Sequence, residues 1–110
     1  MSELVSIQDF ERFDLRVGLV KAVEPHPNAD KLVVLKVDLG EPVERQLVAG
    51  IKAYYTPEQL LGRKIVVISN LAPARLRGVE SQGMLLAAVN EGQVVILVPE
   101  KDIPVGSRVR

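Results

Sequence analysis

Apolar residues recur at every second position in two stretches near the start of the chain, and that period marks a half-buried β-strand rather than a helix. In LRVGLVKAV, residues 15–23, Leu15, Val17 and Leu19 alternate with Arg16 and Gly18. In KLVVLKVDLG, residues 31–40, Val33, Leu35, Val37 and Leu39 alternate with Lys36 and Asp38. A Gly40-Glu41-Pro42 turn then leads into VERQLVAG, which predicts a hairpin. RKIVVISNL, GMLLAAV and QVVILVP supply three more short strands, the last two separated by Asn90-Glu91-Gly92, with a glycine free to take positive φ. Their near-continuous apolar runs predict burial on both faces, by a barrel interior and by another element outside.

Two helices punctuate the strands. In TPEQLLG, Thr56 suits an N-cap, Pro57 the first helical position, Gln59 the far side of a capping box and Gly62 the stop. In SIQDFERF, Ser6 is a cap and Ile7, Phe10 and Phe13 form an apolar stripe that must pack somewhere. A chain of 110 residues with 47% apolar content supports one core. Residues 1–110 are therefore read as a single domain: an N-terminal helix over 1–13, a barrel over 14–90, and a C-terminal strand and tail over 91–110. Five or six strands with a helix between the third and fourth is the layout of an OB-fold, an all-β, five-stranded Greek-key barrel with short terminal elements.

The residues offer little for catalysis. There is no cysteine, which removes thiol chemistry, disulfides and Cys-based metal sites. The one imidazole, His26, lies between Pro25 and Pro27 with no nucleophile nearby and reads as a turn residue. GVESQG, residues 78–83, imitates a phosphate loop, but Met84 and Leu85 follow where Lys and Ser or Thr are required. Glu24, Asp30 and Asp38 are scattered, so neither a metal nor a cofactor is expected. No apolar run reaches the roughly 18 residues of a membrane span, and the N-terminus lacks the order of a signal peptide, so a cytoplasmic protein is expected.

Charge is more informative in its distribution than in its sum. The totals cancel at 14 basic and 14 acidic residues, yet from Arg45 to Val79 six basic residues face only Glu58. A neutral chain can thus carry one electropositive face; an ordinary solvated surface is the alternative.

Three stretches, DLRVGLVKAVEPHPNADKLVVLKVDLGE, RQLVAGIKAYYTPEQLLGRKIVVISNL and RLRGVESQGMLLAA, carry a likeness to a known family. From about Asp14 to Ala88 the chain resembles the tRNA-binding domain found at the C-terminus of many methionyl-tRNA synthetases, in endothelial monocyte-activating polypeptide II and as small free-standing dimers. The resemblance implies an OB-fold that binds tRNA by shape. In that family the Ser-x-Gly-Met element and the Lys of Ala-Asp-Lys-Leu contribute to tRNA binding, and here they fall on Ser81, Gly83, Met84 and Lys31. Asn70 and Arg77 occupy the matching Asn-Leu and Arg-Gly positions.

The residue chemistry is compatible with this. Single-strand binders stack bases on aromatic rings, but the chain has no Trp, and its two Phe and two Tyr fall outside the expected strands. Folded RNA is gripped through phosphates, 2′-hydroxyls and splayed bases, by Arg, Lys, Ser and Asn. Arg75 and Arg77 are expected to act as phosphate forks beside the barrel mouth, Ser81 to offer a hydroxyl, and Met84 to pack against an exposed base. Each has a plain alternative: a solvated Lys31, a core-filling Met84, turn caps at Asn70 and Ser81, and exposed arginines of no special role. The Ile7, Phe10 and Phe13 stripe and the apolar VVILVPEKDIPVG exceed the needs of one small barrel and predict a homodimer. A methionyl-tRNA synthetase catalytic subunit is a further possible partner. The competing function is a protein-interaction or chaperone-like module with no direct RNA role.

Overall fold

The computed structural model describes residues 3–110; Met1 and Ser2 of the expected N-terminal helix lie outside them. A main sheet runs β3 (Arg45–Ala49), β2 (Val33–Asp38), β1 (Leu15–Pro25), β4 (Lys64–Ile68) and β7 (Met84–Leu85), with every neighbouring pair antiparallel. The segment before β7 closes the sheet onto β3: Gln82 N–H donates to Gln46 O at 2.7 Å, and Gln46 N–H to Gln82 Oε1 at 3.0 Å. Closure in this order, with helix α2 (Pro57–Leu60) between β3 and β4, is the expected OB barrel.

The core is aliphatic. Leu35, Leu47, Ile65 and Val67 are fully buried inside the barrel, and Leu60 on α2 packs into the same cluster. Burial of each such side chain contributes about 1.5–3 kcal/mol. Helix α2 has the predicted capping box, Thr56 receiving the Gln59 N–H at 3.3 Å and Gln59 Oε1 the Thr56 N–H at 2.8 Å.

Four features differ from the expectations. The alternation in β1 is real, but its inward face is the other one. A Cβ on Gly18 would stand 2.6 Å from Val37 Cγ1 and 2.7 Å from Leu39 Cδ2, so Gly18 faces the core with Val20. Leu15 and Val17 are buried outside that cluster, where β10 (Arg108–Val109) and Gly106–Ser107 hydrogen-bond to β1. Second, GMLLAAV is two strands: β7 ends at Leu85, and β8 (Ala87–Asn90) leaves the barrel to pair with β9 (Gln93–Ile96).

Third, among the described residues nothing covers the outer side of the β8–β9 hairpin, and Val89 and Val95 are 72% and 51% exposed. The stripe at the N-terminus fares similarly: α1 (Ile7–Phe10) is one turn capped by Ser6, and it buries no residue. Fourth, the polar stretch after Pro73 is itself a hairpin, β5 (Ala74–Leu76) against β6 (Val79–Ser81), turning on Arg77 and Gly78 at φ 54° and 89°. Positive φ at both central residues is what a two-residue turn compatible with strand twist requires. No helix among the described residues is long and apolar enough to cross a membrane.

Candidate nucleic-acid interface

OB barrels take oligonucleotides at the loop between their first two strands and the loop preceding the last. Here these are residues 26–32, which carry Lys31, and residues 69–83, which carry the β5–β6 hairpin with Arg75 and Arg77. The two loops are joined. Asn28 Nδ2 donates to Arg77 O at 3.3 Å, Arg77 Nη2 donates back to Asn28 O at 3.3 Å, and His26 Nε2 lies 2.8 Å from Leu76 O. Lys52 adjoins on the other side, its backbone N–H donating to Lys31 O at 3.4 Å.

Lys31, Lys52, Arg75 and Arg77 are all exposed. None has a carboxylate partner within 4.0 Å; the three ion pairs among the described residues are Asp14–Arg16, Glu41–Arg45 and Lys64–Asp102. The basic excess between Arg45 and Val79 is therefore divided. Arg45 is a strut, bonded to Glu41 and to the carbonyls of Ser69 and Gln82, and Lys64 is tied to Asp102. What remains without a carboxylate partner is Lys52, Arg75 and Arg77 on the rim, and Arg63 away from it, just before β4. Arg75 donates one N–H to Gly78 O at 2.7 Å, which steadies its guanidinium while leaving further donors outward.

The remaining candidates serve the scaffold beneath. Ser81 is 3% exposed, and its hydroxyl is committed twice, accepting from Val48 N–H at 3.0 Å and donating to Gly83 O at 2.8 Å. It fastens the hairpin to β3 rather than facing solvent. Gly83 is buried at φ 141°, where a Cβ would meet Ile68 O at 2.8 Å. Met84 is half-buried, paired with Ile68 across the β4–β7 ladder. Asn70 lies in another neighbourhood: its Oδ1 accepts from Asp14 N–H at 2.8 Å and its Nδ2 donates to Arg12 O at 2.7 Å. Lys52 is marked in the sequence only as one of the six basic residues between Arg45 and Val79, Asn28 and the Leu76 partner of His26 are not marked at all, and Asn-Ala-Asp after His-Pro marks a turn but not the hairpin it touches.

Asn70 also belongs to a small electrostatic clasp. The Ser69 hydroxyl, 2.6 Å from Asp14 Oδ2, is the main cause holding the Asp14 carboxyl below its ordinary value of 3.8. Arg16, at 2.8 Å, and the charge of Arg108 act in the same direction, while burial opposes them. A carboxyl depressed in the folded state adds stability above its unfolded value, lost as pH falls through the native one. Ser69→Ala is thus expected to lower the melting temperature at pH 7, the gap to wild type narrowing on acidification below 3.8. Calorimetry at stepped pH checks this; an undiminished gap at low pH would assign the loss to packing alone.

Unpaired cations on two tied loops, above a barrel whose strands carry no aromatic ring, define a polynucleotide-binding module of the OB class. Within that class, residues 15–108 match the family model described as "Putative tRNA binding domain". The chain belongs to this tRNA-binding domain family. It is similar to the methionine–tRNA ligase of Thermococcus kodakarensis, 57% identical over 108 residues that make up 98% of this chain and 14% of the ligase. It therefore spans about one-seventh of that relative's length. The crystal structure of a MetRS related protein from Pyrococcus horikoshii superposes with a TM-score of 0.92 at 42% identity, covering 99% of this chain and 100% of that one. The crystal structure of chaperone CsaA from Bacillus anthracis reaches 0.88 at 34% identity, covering 98% and 100%.

Proposed function

We propose that the chain binds folded tRNA through the rim formed by Lys31, Lys52, Arg75 and Arg77, as a homodimer, and that it assists a methionyl-tRNA synthetase catalytic subunit. The observation that carries the reading is the tie between residues 26–32 and the β5–β6 hairpin, with Lys52 bonded to Lys31 O, which brings four cations without a carboxylate partner to the mouth of a barrel whose strands carry no aromatic ring. Such a surface meets the phosphates of a rigid contour, not a string of stacked bases. Ser81, Gly83 and Asn70 contribute from below by fixing the strands and loops that carry the cations, and Met84 offers its thioether from the start of β7. Homology to a segment of methionine–tRNA ligase supports the synthetase partnership. Support for the dimer comes from two groups of exposed apolar residues, on the β8–β9 hairpin and at the α1 end.

Four cations neutralising four phosphates predict that log affinity for a tRNA transcript falls against log salt with a slope of about −3. A single-stranded RNA of equal length should bind more weakly. A salt-independent affinity would exclude phosphate-led binding, and a sedimentation coefficient of a monomer at micromolar protein would remove the dimer. Pull-down with and without ribonuclease separates a direct synthetase contact from one bridged by tRNA.

A second reading, capture of unfolded polypeptide, is favoured by the likeness to chaperone CsaA and by the same exposed apolar residues. It predicts that Arg75→Ala with Arg77→Ala leaves polypeptide capture intact, whereas the tRNA reading predicts weakened tRNA retention with the fold preserved.

A further inference from the structure

His26 is the one histidine of the chain, and it is 6% exposed at the seam between the two rim loops. Its hydrogen bonds fix its chemical form. Nδ1 accepts the Asn28 N–H at 2.9 Å, so that nitrogen keeps its lone pair. Nε2 faces Leu76 O at 2.8 Å, and a carbonyl only accepts, so the proton sits on Nε2. One neutral tautomer satisfies both partners, one in its own loop and one in the β5 strand.

We propose that His26 is a positioning residue for tRNA binding: a latch that sets the Lys31 loop at a fixed spacing and angle from the Arg75–Arg77 hairpin. The inference rests on the tRNA reading above. Residues 26–32 and 74–81 are not paired as strands, and the bonds that join them directly run through side chains, while Ser81 and Gln46 anchor the hairpin to β3. The imidazole supplies the buried link, and the reciprocal Asn28–Arg77 pair supplies the exposed one. The hairpin tip they hold places a non-glycine residue, Arg77, at φ 54°, a conformation that persists when its surroundings over-determine it. A rim ordered beforehand does not lose loop entropy when the polynucleotide arrives, and that difference appears as affinity.

The two bonds are separable by substitution. In His26→Asn, the amide oxygen takes the place of Nδ1 and keeps the turn to Asn28, but the side chain is too short to reach Leu76 O. In His26→Gln, the amide nitrogen reaches Leu76 O. Affinity for a tRNA transcript is expected to fall about tenfold in His26→Asn and to recover most of that in His26→Gln. The salt slope should become shallower by about one in His26→Asn, as the two loops no longer engage phosphates together. Independently of any RNA, amide exchange at Leu76 and Val79 should quicken in His26→Asn while the barrel strands stay protected.

Unchanged affinity and slope in a folded His26→Asn protein would overturn the latch, as would unchanged exchange in the hairpin. If wild type itself shows no salt-dependent tRNA binding, the tRNA reading fails, and the exchange result still decides whether the latch exists. Should His26→Asn not fold, Asn28→Ala, which loses only the Nδ2–Arg77 O bond and keeps the imidazole link, is expected to hold affinity within about threefold of wild type, and a loss of about tenfold would overturn the assignment of the latch to His26.

Discussion

Reversing both charges of the hairpin, Arg75→Glu with Arg77→Glu, is expected to lower tRNA affinity roughly a hundredfold at moderate salt. Each guanidinium–phosphate bond contributes about 1.5 kcal/mol, two such bonds about 3 kcal/mol, and every 1.4 kcal/mol is about tenfold. Repulsion from the new carboxylates adds to the loss at low salt and is screened at high salt, so the wild-type and variant curves should converge as salt rises. The slope of log affinity against log salt should shrink from about −3 to about −1.5, because only Lys31 and Lys52 still face phosphate. Global stability should change little, since both side chains are exposed; the bonds lost are Arg75 to Gly78 O within the hairpin and Arg77 to Asn28 O, half of the exposed link between the loops. Arg75→Lys with Arg77→Lys separates charge from shape: it keeps the slope but loses part of the affinity, because an ammonium lacks the planar fork. A charge-reversed protein that is folded and binds tRNA as wild type does would place the interface elsewhere on the barrel.

The strands of the barrel were legible because each presents two or three alternating apolar residues between turn formers, and the capping box of α2 is a local pattern that needs no tertiary knowledge. The inward face of β1 was not legible. Alternation reports a period, and the choice of face turned on Gly18, which shows no hydrophobic signal yet lets Val37 and Leu39 close against the strand. The β5–β6 hairpin escaped because its turn places Arg77 where Asn or Gly is the usual mark, so RLRG does not read as a turn. On the rim, Lys31 is marked by the resemblance to the family's Ala-Asp-Lys-Leu element and Arg75 and Arg77 by the basic stretch, while residue chemistry alone leaves each with a solvated-surface alternative. Ser81 and Asn70 carry hydroxyl and amide groups that suit a ribose or a backbone equally well, and only coordinates reveal that Val48, Gly83, Asp14 and Arg12 already occupy them. The exposed β8–β9 hairpin had a different cause: an apolar run predicts burial, but the run alone does not say that the chain itself will bury it.

Gly83→Ala should be among the most destabilising single substitutions in the barrel, and its comparison with Gly92→Ala isolates the reason. Both glycines have positive φ, 141° and 81°, so both positions lose backbone freedom with an alanine. At Gly92, on the tip of the β8–β9 turn, a new Cβ meets nothing within 4 Å, and the expected loss is about 1 kcal/mol. At Gly83 the Cβ would stand 2.8 Å from Ile68 O and 3.3 Å from Leu47 Cδ2, and the carbonyl belongs to the β4–β7 ladder rather than to a yielding side chain. Backbone strain of about 1–3 kcal/mol and overpacking of a similar size combine to about 4 kcal/mol, a large share of the roughly 5–15 kcal/mol that holds a domain folded. In urea, with a slope of about 1.5 kcal/mol/M, the midpoint of Gly83→Ala should fall by about 2–3 M, against less than 1 M for Gly92→Ala. Equal shifts at the two glycines would mean that the carbonyl contact is immaterial and that φ alone sets the loss. The consequence extends to the rim, because Gly83 O receives the Ser81 hydroxyl that also holds Val48 N–H. Below its own unfolding midpoint, Gly83→Ala should therefore bind tRNA less tightly than Gly92→Ala, although no atom of Gly83 reaches the ligand surface in this reading.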